Sequence, residues 1–140
     1  MEKIKHWSKF WLPVIFWAAV IFTFSSLTTS KTSEFYWQDF LVKKTAHLVE
    51  YAILFTLLYR GFKNSTFPSK QRIVLLAFLL VVLYAASDEY HQTFISGREG
   101  TLRDVIIDTF GATLAYLAIW RYLPKAPTKL KNWAKNWQLI

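Results

Sequence analysis

The chain has 140 residues, enough for one domain, and 54% of them are hydrophobic and 19% aromatic, both high fractions for a soluble domain. It contains no cysteine, which excludes disulfides and thiolate metal sites. The formal net charge is +8, but the basic residues lie between and outside long apolar runs, not in one contiguous patch. This distribution argues against a nucleic-acid partner and is typical of the positive-inside pattern of membrane proteins.

Four mostly apolar runs approach the roughly 20 residues that a transmembrane helix needs. They predict helices at about 11–27, 46–62, 73–90 and 105–123. The first run, with Pro13 in its first turn, could instead be a signal peptide, but the residues after it match a cleavage site poorly. The sequence therefore predicts one all-α domain over residues 1–140, a polytopic membrane protein with four transmembrane helices in a bundle.

Lysine and arginine set the expected orientation. They concentrate in the N-terminal tail, in the loop between the second and third runs, and after the fourth run. These three regions fall on the same side of a four-helix topology, whereas the two loops on the other side mix basic and acidic residues. We therefore expect a multi-pass protein with both termini in the cytoplasm.

The basic tail, residues 124–140, contains apolar residues at helical spacing. These residues are Leu130, Trp133, Ala134 and Trp137. The pattern predicts a short amphipathic helix that lies on the inner leaflet. A partner-binding helix and a disordered tail are the alternatives.

Polar residues interrupt the predicted helices at particular positions. In the second helix, spacings of three and four place four residues on one face: Lys44, His47, Glu50 and Tyr51. The end of the third helix carries Asp88, Glu89, His91 and Gln92, and the start of the fourth carries Asp104 and Asp108. The expected topology puts all three groups at one depth, in the outer leaflet, where intramembrane ionisable residues usually indicate a functional site.

We assign candidate roles by side-chain chemistry. The candidates for proton transfer, as catalytic residues, are His47, Glu50, Asp88 and His91. The candidates for binding a substrate are Lys44, Tyr51, Glu89, Gln92, Arg98, Asp104 and Asp108.

Two of these residues have alternative structural readings. Arg98 could bind phosphate or carboxylate with two parallel hydrogen bonds, but it could also pair with Glu89 or Glu99 or be solvated. Asp104 follows Thr101 at the spacing of a capping box, so a helix-capping role competes evenly with a site role. Gly111, one turn beyond Asp108, would allow close helix approach.

The segments "HLVE" and "DEYH" each place a histidine three residues from a carboxylate. Two such pairs on facing helices could bind a metal ion. A metal-free buried polar network explains the same spacing, and we prefer it, so no metal ligand is assigned and the cofactor is left open. Ser87 could be a nucleophile near His91, although a serine at a membrane helix end usually bonds to backbone.

The stretches "KKTAHLVEYAILFTLL" at 43–58 and "SDEYHQTFISGREGTLRDVIIDTFGATL" at 87–114 together resemble the VanZ-like family of small bacterial membrane proteins, named after a teicoplanin-resistance determinant. The positions that match are Lys44, His47, Tyr51, Asp88, Glu89, Gln92, Phe94, Gly97, Arg98, Asp104 and Gly111. The chain departs from the family pattern at Lys43, where an acidic residue is usual, and at Asp108, where asparagine is frequent.

The resemblance implies a protein of the bacterial cytoplasmic membrane, in some members linked to lipoglycopeptide resistance. Our first hypothesis is an enzyme or binder whose partner is a membrane lipid or a lipid-linked cell-wall precursor at the outer leaflet. The alternative is a non-catalytic accessory or antibiotic-exclusion protein whose polar cluster is structural. An ion pathway ranks last because the inner halves of helices 2 to 4 are almost wholly apolar.

Overall fold

The structure is a computed structural model that describes residues 2–28, 36–65, 69–98 and 100–140, with the side chains of residue 3 and residues 36–40 left out. Every regular element in these ranges is helical, as the sequence predicts. The elements are α1 (Glu2–Ser25), α2 (Tyr36–Lys63), α3 (Lys70–Gln92), α4 (Leu102–Leu117), a π-helical turn (Ala118–Tyr122), a 3-10 turn (Leu123–Lys125) and α5 (Thr128–Asn136).

The helices start earlier than the apolar runs do. α1 begins at Glu2 and not near residue 11, so Pro13 lies well inside the helix and not in its first turn. α2 begins at Tyr36 and not near residue 46. The cause is general: a helix extends until its backbone is capped or broken, so polar residues at its ends are included although they carry no hydrophobic signal.

Two helical stretches among the described residues, Ile4–Ser25 and Lys70–Gln92, are long and apolar enough to cross a membrane by length and composition. The expectation of four such helices is therefore supported for two. α2 is long enough but carries polar residues through its first half. α4 is regular for only 16 residues before the π-helical turn at Ala118, which is fewer than the roughly 20 residues that span a bilayer.

α2 is the central helix, since it packs against α1, α3 and α4. Small residues on its neighbours allow close contact: Ala77, Ala85 and Ala112 are fully buried. Large rings also pack in the core: Phe55 of α2 contacts Phe78 of α3, with ring centroids 4.7 Å apart. This aromatic core fills the half of the bundle towards the chain termini, so the polar residues are confined to the other half.

The outer surface of the bundle is apolar. Large hydrophobic side chains are exposed on every α-helix, and those of three helices are examples: Leu12, Ile15, Phe16 and Phe22 of α1, Leu75, Leu79 and Leu83 of α3, and Ile106 and Phe110 of α4. A soluble monomer rarely exposes so much contiguous apolar surface. This surface and the two apolar helices fit a membrane protein.

The tail forms the short helix that its spacing predicts, α5. Ala134 and Leu139 are buried against the bundle, whereas Trp133 and Trp137 keep nearly half of their surface exposed. Arg60, at the end of α2, donates from Nε to the carbonyl of Trp137 at 2.7 Å. α5 is thus fixed at the end of the bundle opposite the polar residues, with its tryptophans free to contact an interface.

Candidate functional site

The site lies at the polar end of the bundle, which we define as the end where α1 and α3 terminate and α4 begins. Its geometry depends on a close approach of α2 and α4. A Cβ atom added to Gly111 would collide with the backbone carbonyl of Leu48, so no larger residue fits without moving a helix. The expectation for Gly111 is confirmed, and it brings the polar faces of α2 and α4 together.

Two charge pairs join those faces. Lys44 Nζ lies 2.6 Å from Asp104 Oδ2, and the two side chains are 20% and 9% exposed. One turn deeper, His47 Nδ1 lies 3.5 Å from Asp108 Oδ1, with Asp108 only 1% exposed. Lys44 and His47 are three residues apart on α2, and Asp104 and Asp108 are four apart on α4. Both spacings correspond to about one helical turn, so the two pairs form one above the other.

Asp104 does not complete a capping box. Thr101 caps α4, because its hydroxyl accepts from the backbone N–H of Asp104 at 3.3 Å. The carboxylate of Asp104 contacts Lys44 and, at 3.5 Å, Arg103 Nε. The backbone N–H of Thr101 donates instead to Glu89 Oε2 of α3, at 3.0 Å. The structure therefore favours a role of Asp104 in the site over a role in capping α4.

The end of α3 supplies two buried carboxylates that are held by hydrogen bonds. Asp88 accepts from the hydroxyl of Ser25 at 2.5 Å and from Gln92 Nε2 at 2.9 Å. Glu89 accepts a second, longer bond from Gln92 Nε2, at 3.3 Å. All four side chains are at most 5% exposed. The carboxylates are thus fixed in direction from three segments: α1, α3 and the start of α4.

The guanidinium of Arg98, a predicted anion-binding group, is bonded within the protein. Its Nε donates to the carbonyl of Leu27 at 3.1 Å and its Nη2 to that of Phe24 at 2.9 Å. Its Nη1 reaches Gln92 Oε1 at 3.3 Å. Arg98 therefore caps the end of α1, whose last carbonyls have no partner within the helix. It forms no ion pair with Glu89 within the described residues, and Glu99 lies outside them.

Two further candidates lie away from the centre of the site. His91 packs its ring on Phe22 of α1, with centroids 4.7 Å apart, and its Nε2 lies 3.2 Å from Ser26 Oγ. Ser87 is exposed and donates to the backbone carbonyl of Tyr84. This is the backbone hydrogen bond that was the alternative to a nucleophilic role. The structure does not bring either residue to the charge pairs between α2 and α4.

Tyr51 and Glu50 do join the centre. The ring of Tyr51 stacks on that of His47, with centroids 6.3 Å apart and an interplanar angle of 11°. The half-buried carboxylate of Glu50 lies within electrostatic range of His47, Asp88 and Asp108. Its backbone carbonyl accepts from Trp17 Nε1 at 2.9 Å, which ties α1 to α2 beside the site.

Two polar atoms at the centre are buried and have no hydrogen-bond or ion-pair partner within the described part of the chain: the Tyr51 hydroxyl and Asp108 Oδ2. His47 Nδ1 has only the long contact of 3.5 Å with Asp108 Oδ1. Tyr51 is fully buried, so water at the surface cannot solvate its hydroxyl. A buried polar group without a partner costs about 1–3 kcal/mol. Each of these atoms could bond to a polar ligand, ion or water.

Ser25 belongs to the site but was not predicted from the sequence. It is 2% exposed and donates a hydrogen bond to Asp88. The signal was its position at the end of an apolar helix, but Ser26 and the threonines that follow it carry the same signal. Only the packing of α1 on α3 distinguishes the serine that points inward. This side chain makes α1 the fourth helix to contribute to the site.

The donor set at the centre is rich in oxygen. One ligand atom each of His47, Asp88 and Glu89 can be chosen so that all lie within 4.8 Å of one another. These three residues are the group of the described residues best placed to hold a metal ion. They differ from the pairs suggested by the sequence, since Glu89 takes the place of His91 and Glu50.

Comparison with known proteins gives one match to a family model. A family model described as VanZ/LLP1 matches residues 10–123, a range that includes all the residues of the site. No curated protein and no solved structure matches the chain. The match covers most of the sequence, and the chain belongs to the VanZ/LLP1 family.

Proposed function

We propose that this VanZ-like protein binds the anionic, phosphate-bearing head group of a membrane lipid or lipid-linked cell-envelope precursor and acts on it. The observation that carries the proposal is that two buried polar atoms at the centre, the Tyr51 hydroxyl and Asp108 Oδ2, have no hydrogen-bond partner within the described residues. A cluster that served only to pack helices would be expected to satisfy its own hydrogen bonds. Here the residues around the centre are bonded to one another while the centre keeps its bonding capacity for a ligand.

The proposed topology has four membrane-crossing helices, with both termini cytoplasmic and the polar end at the outer face. The charges support this orientation, because the basic tail and α5 lie at the opposite end of the bundle. α2 and α4 would cross as members of the bundle, their polar faces turned towards each other and away from lipid. A head group would then reach the site from the outer interface.

Lys44 is the cation best placed to meet such a head group. It is one-fifth exposed, and its partner Asp104 also contacts Arg103, whose side chain is 67% exposed. These basic groups form the rim of the site, and His47 lies one turn deeper. We assign anion binding to Lys44 and Arg103, and proton transfer to His47 with Asp108 as the group that orients it.

A groove beside the site suits the hydrocarbon part of a lipid. It has a volume of about 580 Å³ and is lined almost entirely by apolar atoms. Leu48 and Val49, next to His47 in the chain, line it near the polar end, and Trp133 of α5 lines it near the other. A lipid lying along it would have its head group beside α2 at the level of His47.

The test is equilibrium binding of farnesyl diphosphate to the purified protein in detergent, measured by isothermal titration calorimetry. Farnesol, which has the same chain without the charge, is the control ligand. We expect the diphosphate to bind at least tenfold more tightly, and Lys44→Gln to remove most of that difference. Equal binding of the two ligands would refute head-group recognition and would leave the cluster as a packing network.

Lipoglycopeptide resistance is the finer proposal and needs a cellular test. A teicoplanin-sensitive Gram-positive host would express the wild type, Asp88→Asn or His91→Gln at matched membrane levels. We expect the wild type and His91→Gln to raise the inhibitory concentration and Asp88→Asn not to raise it. Resistance retained by Asp88→Asn would assign the effect to an accessory role that does not use the site.

A further inference from the structure

The centre of the site contains more acid than base. Asp88, Glu89 and Asp108 are at most 4% exposed, and half-buried Glu50 adds a fourth carboxylate within electrostatic range. Of the basic side chains, Lys44 at the rim pairs with Asp104, and Arg98 caps α1. Buried carboxylates are costly unless a cation compensates them. A phosphate placed here without a further cation would face these carboxylates directly.

The geometry of three side chains fits such a cation. Ligand atoms of His47, Asp88 and Glu89 all lie within 4.8 Å of one another. Nitrogen and oxygen ligands at roughly 2.0–2.2 Å from one tetrahedral ion lie about 3.3–3.6 Å apart. Side-chain rotations that move the ligand atoms by about an ångström would bring them to that spacing. Two of the ligands come from consecutive positions on α3 and the third from α2.

The surroundings of these ligands resemble the outer shell of a metal site. Ser25 and Gln92 hold the two α3 carboxylates in place through hydrogen bonds. Asp108 Oδ1 lies 3.5 Å from His47 Nδ1, an arrangement of carboxylate and imidazole that commonly orients a metal-bound histidine. Preorganised ligands of this kind lower the entropy cost of binding an ion.

An independent observation also indicates a ligand at this place. The hydroxyl of Tyr51 is buried and unpaired. Its ring stacks on His47, and the hydroxyl lies within electrostatic range of Asp88 and Glu89. A water molecule or phosphate oxygen bound to an ion between the carboxylates would give this hydroxyl a partner.

We propose that His47, Asp88 and Glu89 bind one divalent cation of the Zn²⁺ or Mn²⁺ type, which leaves a coordination position open for a phosphate oxygen. One nitrogen and two carboxylate ligands suit these ions better than Ca²⁺ or Mg²⁺, which prefer oxygen alone. Cation binding depends only on these residues, and it would replace the proton-transfer role of His47, since Asp108 and the cation would then engage both ring nitrogens. The coordination of phosphate by the cation rests on the proposed function.

The experiment measures cation binding to the full-length protein, purified in detergent and treated with chelator. Zn²⁺ and Mn²⁺ are titrated separately by calorimetry, with Mg²⁺ as the comparison ion and no lipid present. We expect one equivalent of Zn²⁺ or Mn²⁺ to bind at least tenfold more tightly than Mg²⁺ and to raise the thermal unfolding temperature. Absence of binding in the folded wild type would overturn the proposal.

Two variants and a matched control assign the ligands. Asp88→Asn and His47→Gln should each weaken cation binding at least tenfold. His91→Gln is the control, because it changes a histidine of α3, the helix of Asp88, that faces α1. The cation affinity of this variant should match that of the wild type. Each variant is first checked for helix content and monodispersity. Tyr51→Phe is a further, milder variant, and we expect it to lose less cation affinity than Asp88→Asn or His47→Gln. Equal affinity in all variants would place the cation elsewhere and refute this ligand set.

A second titration separates failure of the cation from failure of the lipid. Farnesyl diphosphate and inorganic phosphate are each added with and without the bound cation. Tighter binding of farnesyl diphosphate in the presence of cation supports both proposals, whereas an equal gain for inorganic phosphate would make the ligand a free phosphate. Cation binding without any phosphate effect supports the metal site and refutes the bridging role. Phosphate binding without cation binding supports the proposed function alone.

Discussion

Lys44 of α2 and Asp104 of α4 form an ion pair of 2.6 Å that closes the polar end of the bundle from one side. The pair replaces a capping interaction that Asp104 could have made within its own helix. Glu89 of α3 supplies that cap instead, by accepting from the backbone N–H of Thr101. α4 is therefore held at its first turn by side chains from two other helices, which couples the site to the packing of the bundle.

Breaking this pair should destabilise the protein. We expect Asp104→Asn and Lys44→Gln each to lower the free energy of unfolding by about 1–3 kcal/mol, at the lower end because the pair is partly solvated. The double variant should lose less than the sum, since each single change already removes the interaction. Reversible unfolding of the purified protein in mixed micelles measures all three. Strictly additive losses would mean that the pair contributes no stability.

Gly111 should tolerate no side chain. Gly111→Ala places a Cβ against the backbone carbonyl of Leu48, so α2 and α4 must separate, at a cost of about 1–3 kcal/mol or more. Gly61→Ala is the matched control on α2, because its added Cβ would meet only the ring of Trp11 at 3.6 Å, an ordinary contact. Gly61→Ala should be neutral or stabilising by up to about 1 kcal/mol. Similar losses in both variants would contradict the close approach at Gly111.

Periodicity and topology were sufficient to predict the residues that meet at one depth. Helical spacing and the alternating direction of consecutive helices, which makes α2 and α4 parallel, bring four residues together: Lys44, His47, Asp104 and Asp108. The partner of each side chain could not be predicted in the same way. Arg98 lies in a loop, and whether it meets a ligand or the end of α1 depends on how α1 packs, which its own neighbours in sequence do not encode.

The direction of His91 shows a second limit of sequence reasoning. It lies three residues after Asp88 on α3, close enough in angle for both to be placed on one face. The helix meets α1 on one side of that face and α2 on the other, and His91 falls on the α1 side. A face defined by spacing of three and four is wide enough to contact two helices, so it does not decide which one.

Tyr51→Phe should raise stability and lower ligand affinity together. The change removes a fully buried hydroxyl that has no hydrogen-bond partner within the described residues. The ligand-free protein should gain about 1 kcal/mol, because an unsatisfied polar group is removed while the ring is kept. Unfolding of the chelator-treated protein gives the stability, and farnesyl diphosphate titration gives the affinity. A loss of stability would mean that the hydroxyl already has a partner within the fold.

Arg98→Lys should act on stability. Lysine keeps the positive charge but cannot reach the carbonyls of Phe24 and Leu27 and the amide of Gln92 with one planar group. We expect a loss of about 1–3 kcal/mol in unfolding free energy, with exposed Arg72→Lys as the neutral control. Affinity of the folded protein for farnesyl diphosphate should fall less than in Lys44→Gln. A larger loss of affinity in Arg98→Lys than in Lys44→Gln would mean that Arg98 binds the anion.

The orientation of the polar end can be decided by labelling, because the chain has no cysteine of its own. Thr93→Cys places a thiol at the exposed end of α3, and Lys129→Cys places one on exposed α5. In intact bacteria, a membrane-impermeant maleimide should label Thr93→Cys, and it should label Lys129→Cys only after the membrane is permeabilised. This result would put the site at the outer face, where lipid-linked envelope precursors are accessible.

The reverse labelling pattern would put the polar end in the cytoplasm and would exclude an outer-leaflet substrate, whatever the site binds in detergent. Labelling of both thiols in intact cells would mean that the two positions lie on one side of the membrane, and α4, which joins them, would then not cross it. The pattern discriminates because Thr93 and Lys129 lie at opposite ends of the helical bundle. The positive-inside distribution favours the first outcome, since the basic residues of the tail extend beyond α4 at the end opposite the site.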